Sequence, residues 1–304
     1  MASVTITGRT TSTAAHGDPL VPRMLLAKGL RALRESAGIS RRDAAKAIGG
    51  SSSKVARLEL ARTGCSAPDI DALLTFYGAD DDERTTLLAL AEQTTARPWW
   101  HADGDIVPPW VRAYLTAEQA ARLVRTFEPQ YVPGLLQSEQ YARALIRRDF
   151  PEAESFEAES FEAEVERRVE FRMRRQRVLR RRPRPLNLWV VLDERALWRP
   201  IGGPATMRTQ ILHISELCKR PNVTVQIAPG GICGRVEGDG PLTLVRFPQQ
   251  GLQDMVYLER ADSADYPVRR VEIERHWHVF NTLVTEASPP EHTPRILAGI
   301  LATY

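Results

Sequence analysis

The chain has 304 residues, 43% apolar and 26% charged, which is enough for two domains with a core each and excludes a chain disordered throughout. The formal charge of +3 is small, but the 41 basic residues are unevenly placed, and a clustered basic face matters more to a polyanion than the sum does. Cys65, Cys218 and Cys233 are far apart with no CxxC pair, which argues against a zinc site or a disulfide framework and suits a reducing cytoplasm.

No apolar run approaches the roughly 20 residues of a membrane span, and residues 1–22 lack the apolar core of a signal peptide. They read as a flexible N-terminal arm, with Arg9 or Arg23 following a DNA groove as the lesser reading. Leu26, Leu30, Leu33 and Ala37 then share one helix face that stops at Gly38. Ser40 caps a short helix buried through Ala44, Ala45 and Ile48. Gly49-Gly50 makes the turn, and Ser51 caps a second helix packed through Val55 and Leu58. Ser66-Ala67-Pro68 opens a helix carrying Ile70, Leu73, Leu74 and Tyr77. A fifth follows Asp80-Asp81-Asp82 with Leu87, Leu88 and Leu90.

With Val55 and Leu58 inside, Ser52, Ser53, Lys54 and Arg57 point outward at the front of the second helix. Such side chains suit the major groove, where arginine grips guanine bidentately and serine contacts either kind of base. A solvated polar face on any short amphipathic helix pair is the bland alternative. LRALRESAGISRRDAAKAIG and SSSKVARLE resemble, residue by residue, the lambda-repressor-like or XRE-type helix-turn-helix domain, and Glu59 fits the family's frequent position after the recognition-helix core. The resemblance implies DNA contact by Arg41, Ser51, Ser52, Ser53, Lys54, Arg57 and Arg62. Arg57 and the serines would read bases, and Lys54 and the neighbouring arginines would hold phosphates. Two departures concern the helix ends: the family often has glycine at the position of Ala61 and tryptophan at that of Gly50.

Pro98, Pro108 and Pro109 with Trp99, Trp100 and Trp110 mark a domain boundary near Thr95, where aromatic residues usually dock one domain on the other. The spacing predicts a helix from Leu115 to Thr126 and another over Glu139–Arg148 capped by Ser138. Glu152 to Glu166 holds seven glutamates and no base, with ESFEA in tandem; Arg167 to Arg184 then holds ten arginines against Glu170 alone. Phe161, Val165, Val169 and Met173 make this one long helix packed by a stripe, with phosphate contact by the 167–184 arginines as the lesser reading. Segments 186–192, 223–227, 242–247 and 255–258 read as strands of one sheet. A crossover helix over 205–219 joins the first two, and the last two form a hairpin. Val271, Trp277, Leu283 and Val284 give a helix over 268–286, and 295–304 a small terminal one.

Chemistry is sparse. His276 and His278 diverge on a helix, adjacent Asp193 and Glu194 suit capping better than acid-base work, and Gly230 to Gly234 lacks the lysine of a phosphate loop. Cys233 is a thiol with no visible base. WWH, RTFEPQYVPGLLQSEQYARALI, VVLDERALWRPIGG, PNVTVQIAP and GPLTLVRF resemble the C-terminal domain of unknown function that follows such helix-turn-helix domains in actinobacteria, in regulators of the WhiJ-like kind.

The expected fold is therefore an all-α N-terminal helix-turn-helix domain over 23–95 plus an α+β C-terminal domain, a mixed sheet with helices, over 96–304. The expected function is a cytoplasmic, sequence-specific transcriptional regulator that binds double-stranded DNA as a homodimer on an inverted repeat, with no catalytic residues, cofactor or metal. The C-terminal domain is expected to bind a partner protein or a ligand: the glycine-rich loop from Gly230 to Gly240 could admit a small molecule, while the family resemblance implies a small partner protein encoded nearby, so an antitoxin-like protein-binding module is one rival. An enzyme with its site in the C-terminal domain is the other.

Overall fold

The structure, a computed structural model, describes residues 20–64, 66–94, 97–149, 158–230, 240–249 and 252–304, in two compact units, Met1–Trp99 and Trp100–Tyr304. Thr95, where the boundary is expected, lies outside the described residues, as do Cys65, Cys233 and the glycine-rich stretch 231–239. Among the described residues no helix is long and apolar enough to cross a membrane.

The described part of the N-terminal unit is helical: α1 (Leu20–Ser36), α2 (Arg41–Ala47), α3 (Ser52–Glu59), α4 (Ala67–Tyr77) and α5 (Asp81–Gln93). The side chains of Ser40, Ser51, Ser66 and Asp80 each accept a backbone N–H three residues on, satisfying a donor that a helix start leaves unpaired. Leu26, Leu30, Val55, Leu58, Ile70 and Leu74 meet in one core, and Gly29 lets α5 close on α1, since a Cβ there would lie 2.5 Å from Leu87 Cδ2. Residues 20–22 of the expected arm belong to α1, and residues 1–19 lie outside the described residues. Leu20 and Val21 are buried, so the helix begins by Leu20, and Pro22 sits in its first turn, where its missing N–H costs nothing.

Ala61 is held at φ +55°, the one non-glycine residue with positive φ among the described residues. A Cβ in the left-handed region clashes with the following carbonyl by roughly 1–2 kcal/mol, so Ala61→Gly will stabilise this unit by about 1 kcal/mol after glycine's entropy is deducted. Slower hydrogen exchange of α3 and α4 amides will show it; unchanged or faster exchange would contradict the strain.

In the C-terminal unit one sheet has the order β3 (Val223–Ala228), β2 (Asn187–Asp193), β1 (Leu123–Glu128), β4 (Leu242–Arg246), β5 (Met255–Glu259) and β6 (Ala264–Asp265). The first three are parallel, and β4 to β6 continue antiparallel. This is the α+β arrangement expected, with two strands added. The helix predicted through Thr126 is wrong in its second half: α6 spans Arg112–Ala120, and Leu123–Glu128 is the central strand. Val124 and Phe127, three apart, imitate a helical step, but they are fully buried on opposite faces of a sheet covered on both sides.

The remaining helices are α7 (Glu139–Arg148), α8 (Ala158–Arg175), α9 (Glu194–Trp198), α10 (Pro204–Leu217), α11 (Arg270–Glu286) and α12 (Thr293–Leu301). Helix α11 covers the face that carries Phe127, Leu242, Leu244 and Val256. Its buried line is Ile273, Phe280 and Leu283, with Trp277 and Val284 beside it, whereas Val271, expected inside, is 66% exposed because it falls well over a right angle from Ile273 around the helix. On α8, Val165 and Val169 pack on Ile146 with Phe161 and Met173 flanking, as the stripe predicts. The Trp100 indole N–H donates to Thr116 Oγ1 at 3.0 Å.

Candidate nucleic-acid interface

The turn between α2 and α3 is made by Gly49, at φ +56°, where a side chain would be strained, followed by Gly50. Ser51, Ser52, Ser53, Arg57 and Arg62 are exposed on or just beyond α3, and Val55 and Leu58 anchor its inner side. The Ser51 hydroxyl accepts the Lys54 N–H at 3.1 Å, so this side chain shapes the helix start while Ser52 and Ser53 face outward. Arg62 is placed by its N–H, which donates to the Arg57 carbonyl at 2.9 Å.

Two of the expected contact residues are engaged within the protein. Lys54 Nζ donates to Asp69 Oδ2 at 2.7 Å, tying α3 to the start of α4. Arg41 Nε donates to Glu59 Oε2 at 2.9 Å, and Arg34 Nε to Glu59 Oε1 at 2.5 Å. Glu59, its side chain 1% exposed, thus ends α3 between guanidiniums from α1 and α2. Burial pushes its carboxyl up, but hydrogen bonds from Arg34 and then Arg41 outweigh this and hold it below the usual range. The hydrogen bond to Glu59 holds the Arg34 guanidinium above its ordinary value in turn. Arg34 was not legible as a site residue. The signal for it was an arginine on an otherwise apolar helix face, 25 residues before a glutamate at the end of a helix buried on that side.

The arginine run is mostly internal. Six of its ten arginines are engaged inside the unit: Arg167 with Asp105, Arg168 with Glu164, Arg174 with Asp103 and Arg175 with Glu118, while Arg172 donates to Gln137 Oε1 and Arg181 to the carbonyls of Gln119 and Ala121. Arg177, Arg180, Arg182 and Arg184 are exposed. The run therefore clamps α8 and its continuation onto α6 and the segment before it, with four side chains left facing solvent.

Elsewhere the polar residues singled out in the sequence have separate partners. Asp193 Oδ1 accepts the Arg195 N–H at 2.8 Å and its carboxylate takes the Arg195 guanidinium, while Glu194 accepts the Trp198 indole N–H at 3.1 Å. His276 Nδ1 lies 2.7 Å from the Glu272 carbonyl, and His278 is exposed. The Cys218 thiol is pushed up to about 11 by burial. Among the described residues no three His, Cys, Asp or Glu side chains converge as metal ligands.

Comparison with known proteins gives two matches to protein families. A helix-turn-helix domain family matches residues 25–87, which contain α2, α3 and the turn between them. No curated protein and no solved structure matches the chain. A domain of unknown function, DUF5753, matches residues 111–299, more than half of the chain, which therefore belongs to the DUF5753 family and carries a helix-turn-helix domain ahead of that region.

Proposed function

We propose that the protein is a sequence-specific transcriptional regulator of the XRE type, with α3 as the recognition helix. The observation that carries this is the pairing of an exposed Ser52, Ser53 and Arg57 on α3 with a buried Glu59 that fixes the same helix to α1 and α2. A groove reader must hold its base-contacting side chains on a rigid element, and Glu59 supplies the rigidity at the far end of the helix. Arg57 and the serines read bases; Arg41, Lys54 and Arg62 hold phosphates, the first two by exchanging their carboxylate partners for the DNA backbone. One short helix reads few base pairs, so the reading includes a homodimer on an inverted repeat with the C-terminal unit as the dimer contact. The WhiJ-like motif series supports a cytoplasmic regulator of an actinobacterium whose C-terminal unit docks a small protein encoded nearby, and assigns that unit to binding rather than catalysis.

The experiment is to sequence the fragments that the purified protein enriches from its own genome, then compare variants on that site and on random DNA. Enriched sites should show two half-sites about one helical turn apart. Arg57→Ala should lose roughly 5- to 150-fold on the site and little on random DNA, whereas Lys54→Ala should weaken both alike and lower the salt dependence. Equal loss on both DNAs for Arg57→Ala would remove Arg57 from base reading.

A further inference from the structure

The C-terminal unit has a partly open cavity of about 570 Å³, within the range of pockets that hold small molecules. Its floor is the sheet face opposite α11. Alternation along β1 brings Val124, Thr126 and Glu128 to that face, and the register Thr126↔Thr243↔Tyr257 lines up β4 and β5 beside it. One step beyond the pairs Phe127↔Leu242 and Leu242↔Leu258, Glu128 and Glu259 stand at the same end of the sheet on either side of Pro241. Helix α8 roofs the space with Phe171, Arg172 and Arg175.

Not every charged group on this wall has an ion-pair partner. Arg175 is bound by Glu118, Arg168 by Glu164, and Asp149 by Arg148. Among the described residues Glu128 and Glu259 form no ion pair, and Arg172 has Gln137 at 2.7 Å in place of a carboxylate. Two carboxyl groups, Glu128 half-buried and Glu259 exposed, therefore share this wall with one guanidinium. Tyr257, 3% exposed, also faces the cavity with a buried hydroxyl that has no hydrogen-bond partner, and its ring stacks on Tyr114 with centroids 4.4 Å apart. A buried polar atom without a partner and two neighbouring carboxyl groups without an ion pair both mark a space that suits a hydrogen-bonding cation.

We propose that this cavity binds a small organic cation, a protonated amine on an apolar body, with its nitrogen at Glu128 beside Glu259 and the Tyr257 hydroxyl, and its apolar part along Ile106, Val124 and Leu188. The charged groups that face Glu128 are Glu259 from β5, Arg168, Arg172 and Arg175 from α8, and Asp149 after α7. Burial first, then Glu259, push the Glu128 carboxyl up to about 8 against the opposing pull of Arg175, so at pH 7 it holds a proton where the cation would sit. Binding of the cation lowers that value and releases the proton. The inference stands apart from DNA recognition, because it is tested on the full chain without DNA.

The test is calorimetric titration with hexylammonium and 2-phenylethylammonium, against 1-hexanol, 2-phenylethanol and hexanoate. Each ammonium should bind about tenfold or more tightly than the alcohol of the same skeleton and lose about tenfold in Glu128→Gln, with the alcohol unchanged. At pH 7 the binding heat should depend on the buffer's ionisation heat, as proton release requires. If Glu128→Gln does not fold, Arg172→Gln serves instead and should tighten ammonium binding about threefold. Alcohols or hexanoate binding as tightly as the ammoniums, or no ammonium binding to the unmodified chain at about 10 mM, would overturn the proposal.

Discussion

Glu59→Gln will cost the N-terminal unit about 3 to 5 kcal/mol, because it removes the charge that compensates a buried guanidinium. Arg34 is 7% exposed and contacts both Glu59 oxygens, at 2.5 and 3.0 Å, so glutamine would leave it, as counter-charge, only the longer contact to the half-exposed Glu35 at 3.3 Å. Arg41, already exposed, would turn to solvent at little cost. Hydrogen exchange should speed up throughout α1 to α4, while amides of residues 100–304 keep their rates. The double substitution Arg34→Met with Glu59→Met should recover most of the loss, since replacing both members of a buried pair by apolar groups is often close to neutral. A single substitution that leaves exchange unchanged would show that Glu59 does not fasten α3. The sign of the pH dependence follows as well. The Glu59 carboxyl is depressed in the folded state, so its contribution is complete above the ordinary glutamate value of 4.5 and is lost as pH falls through the folded value. Glu59→Gln should therefore flatten the acid side of the stability curve of this unit.

A loss of the same size, about 3 to 5 kcal/mol, is expected in the C-terminal unit for Glu118→Gln. Glu118 is 2% exposed and accepts both arms of Arg175 at 2.6 Å and the Tyr114 hydroxyl at 2.7 Å. The same Arg175 reaches the Tyr114 hydroxyl at 3.1 Å, so one carboxylate on α6 organises an arginine on α8 and a tyrosine that stacks on the sheet. The fork geometry makes the interaction specific to a carboxylate. Urea unfolding followed by tryptophan fluorescence should show a lowered midpoint. The control Glu170→Gln, which changes an exposed acid of α8, should stay within about 0.5 kcal/mol. Equal midpoints for the two variants would mean that α8 is held by its apolar stripe alone.

Both clamps bear on how far the sequence could be read. The serine and aspartate caps, the left-handed glycines and the α8 stripe are local signals, and the helices of the N-terminal unit follow from them. The strands at 186, 223, 242 and 255 announce themselves by β-branched runs between turns, and their pairing follows the expected crossover and hairpin. The central strand was concealed by its own position. Buried on both faces, Leu123–Glu128 shows no alternation of apolar and polar residues, and its run continues directly from α6. That single misreading also hid the cavity, because Glu128 falls in the turn expected after that helix until its strand is laid between β2 and β4. The engagement of Lys54 with Asp69 and of Arg41 with Glu59 was illegible for another reason: sequence spacing gives the face of a helix but not the neighbour that side chains from 15 or 18 residues away will meet.

The placement of β1 at the centre of the sheet has a consequence in time. Leu123 pairs with Asn187 on one side and with Arg246 on the other, so the middle of this unit waits for chain made long after it. Helices α1 to α5, in contrast, have all their partners in hand once Gln93 is made and α5 can close on α1, and such helical topologies form in microseconds to milliseconds. During synthesis the helix-turn-helix unit can thus be complete while β1, with unpaired edges and apolar side chains on both faces, still lacks both neighbours. The kinetic hazard of this chain, exposure to aggregation and to chaperones, lies in the interval between the emergence of Phe127 and that of Leu244.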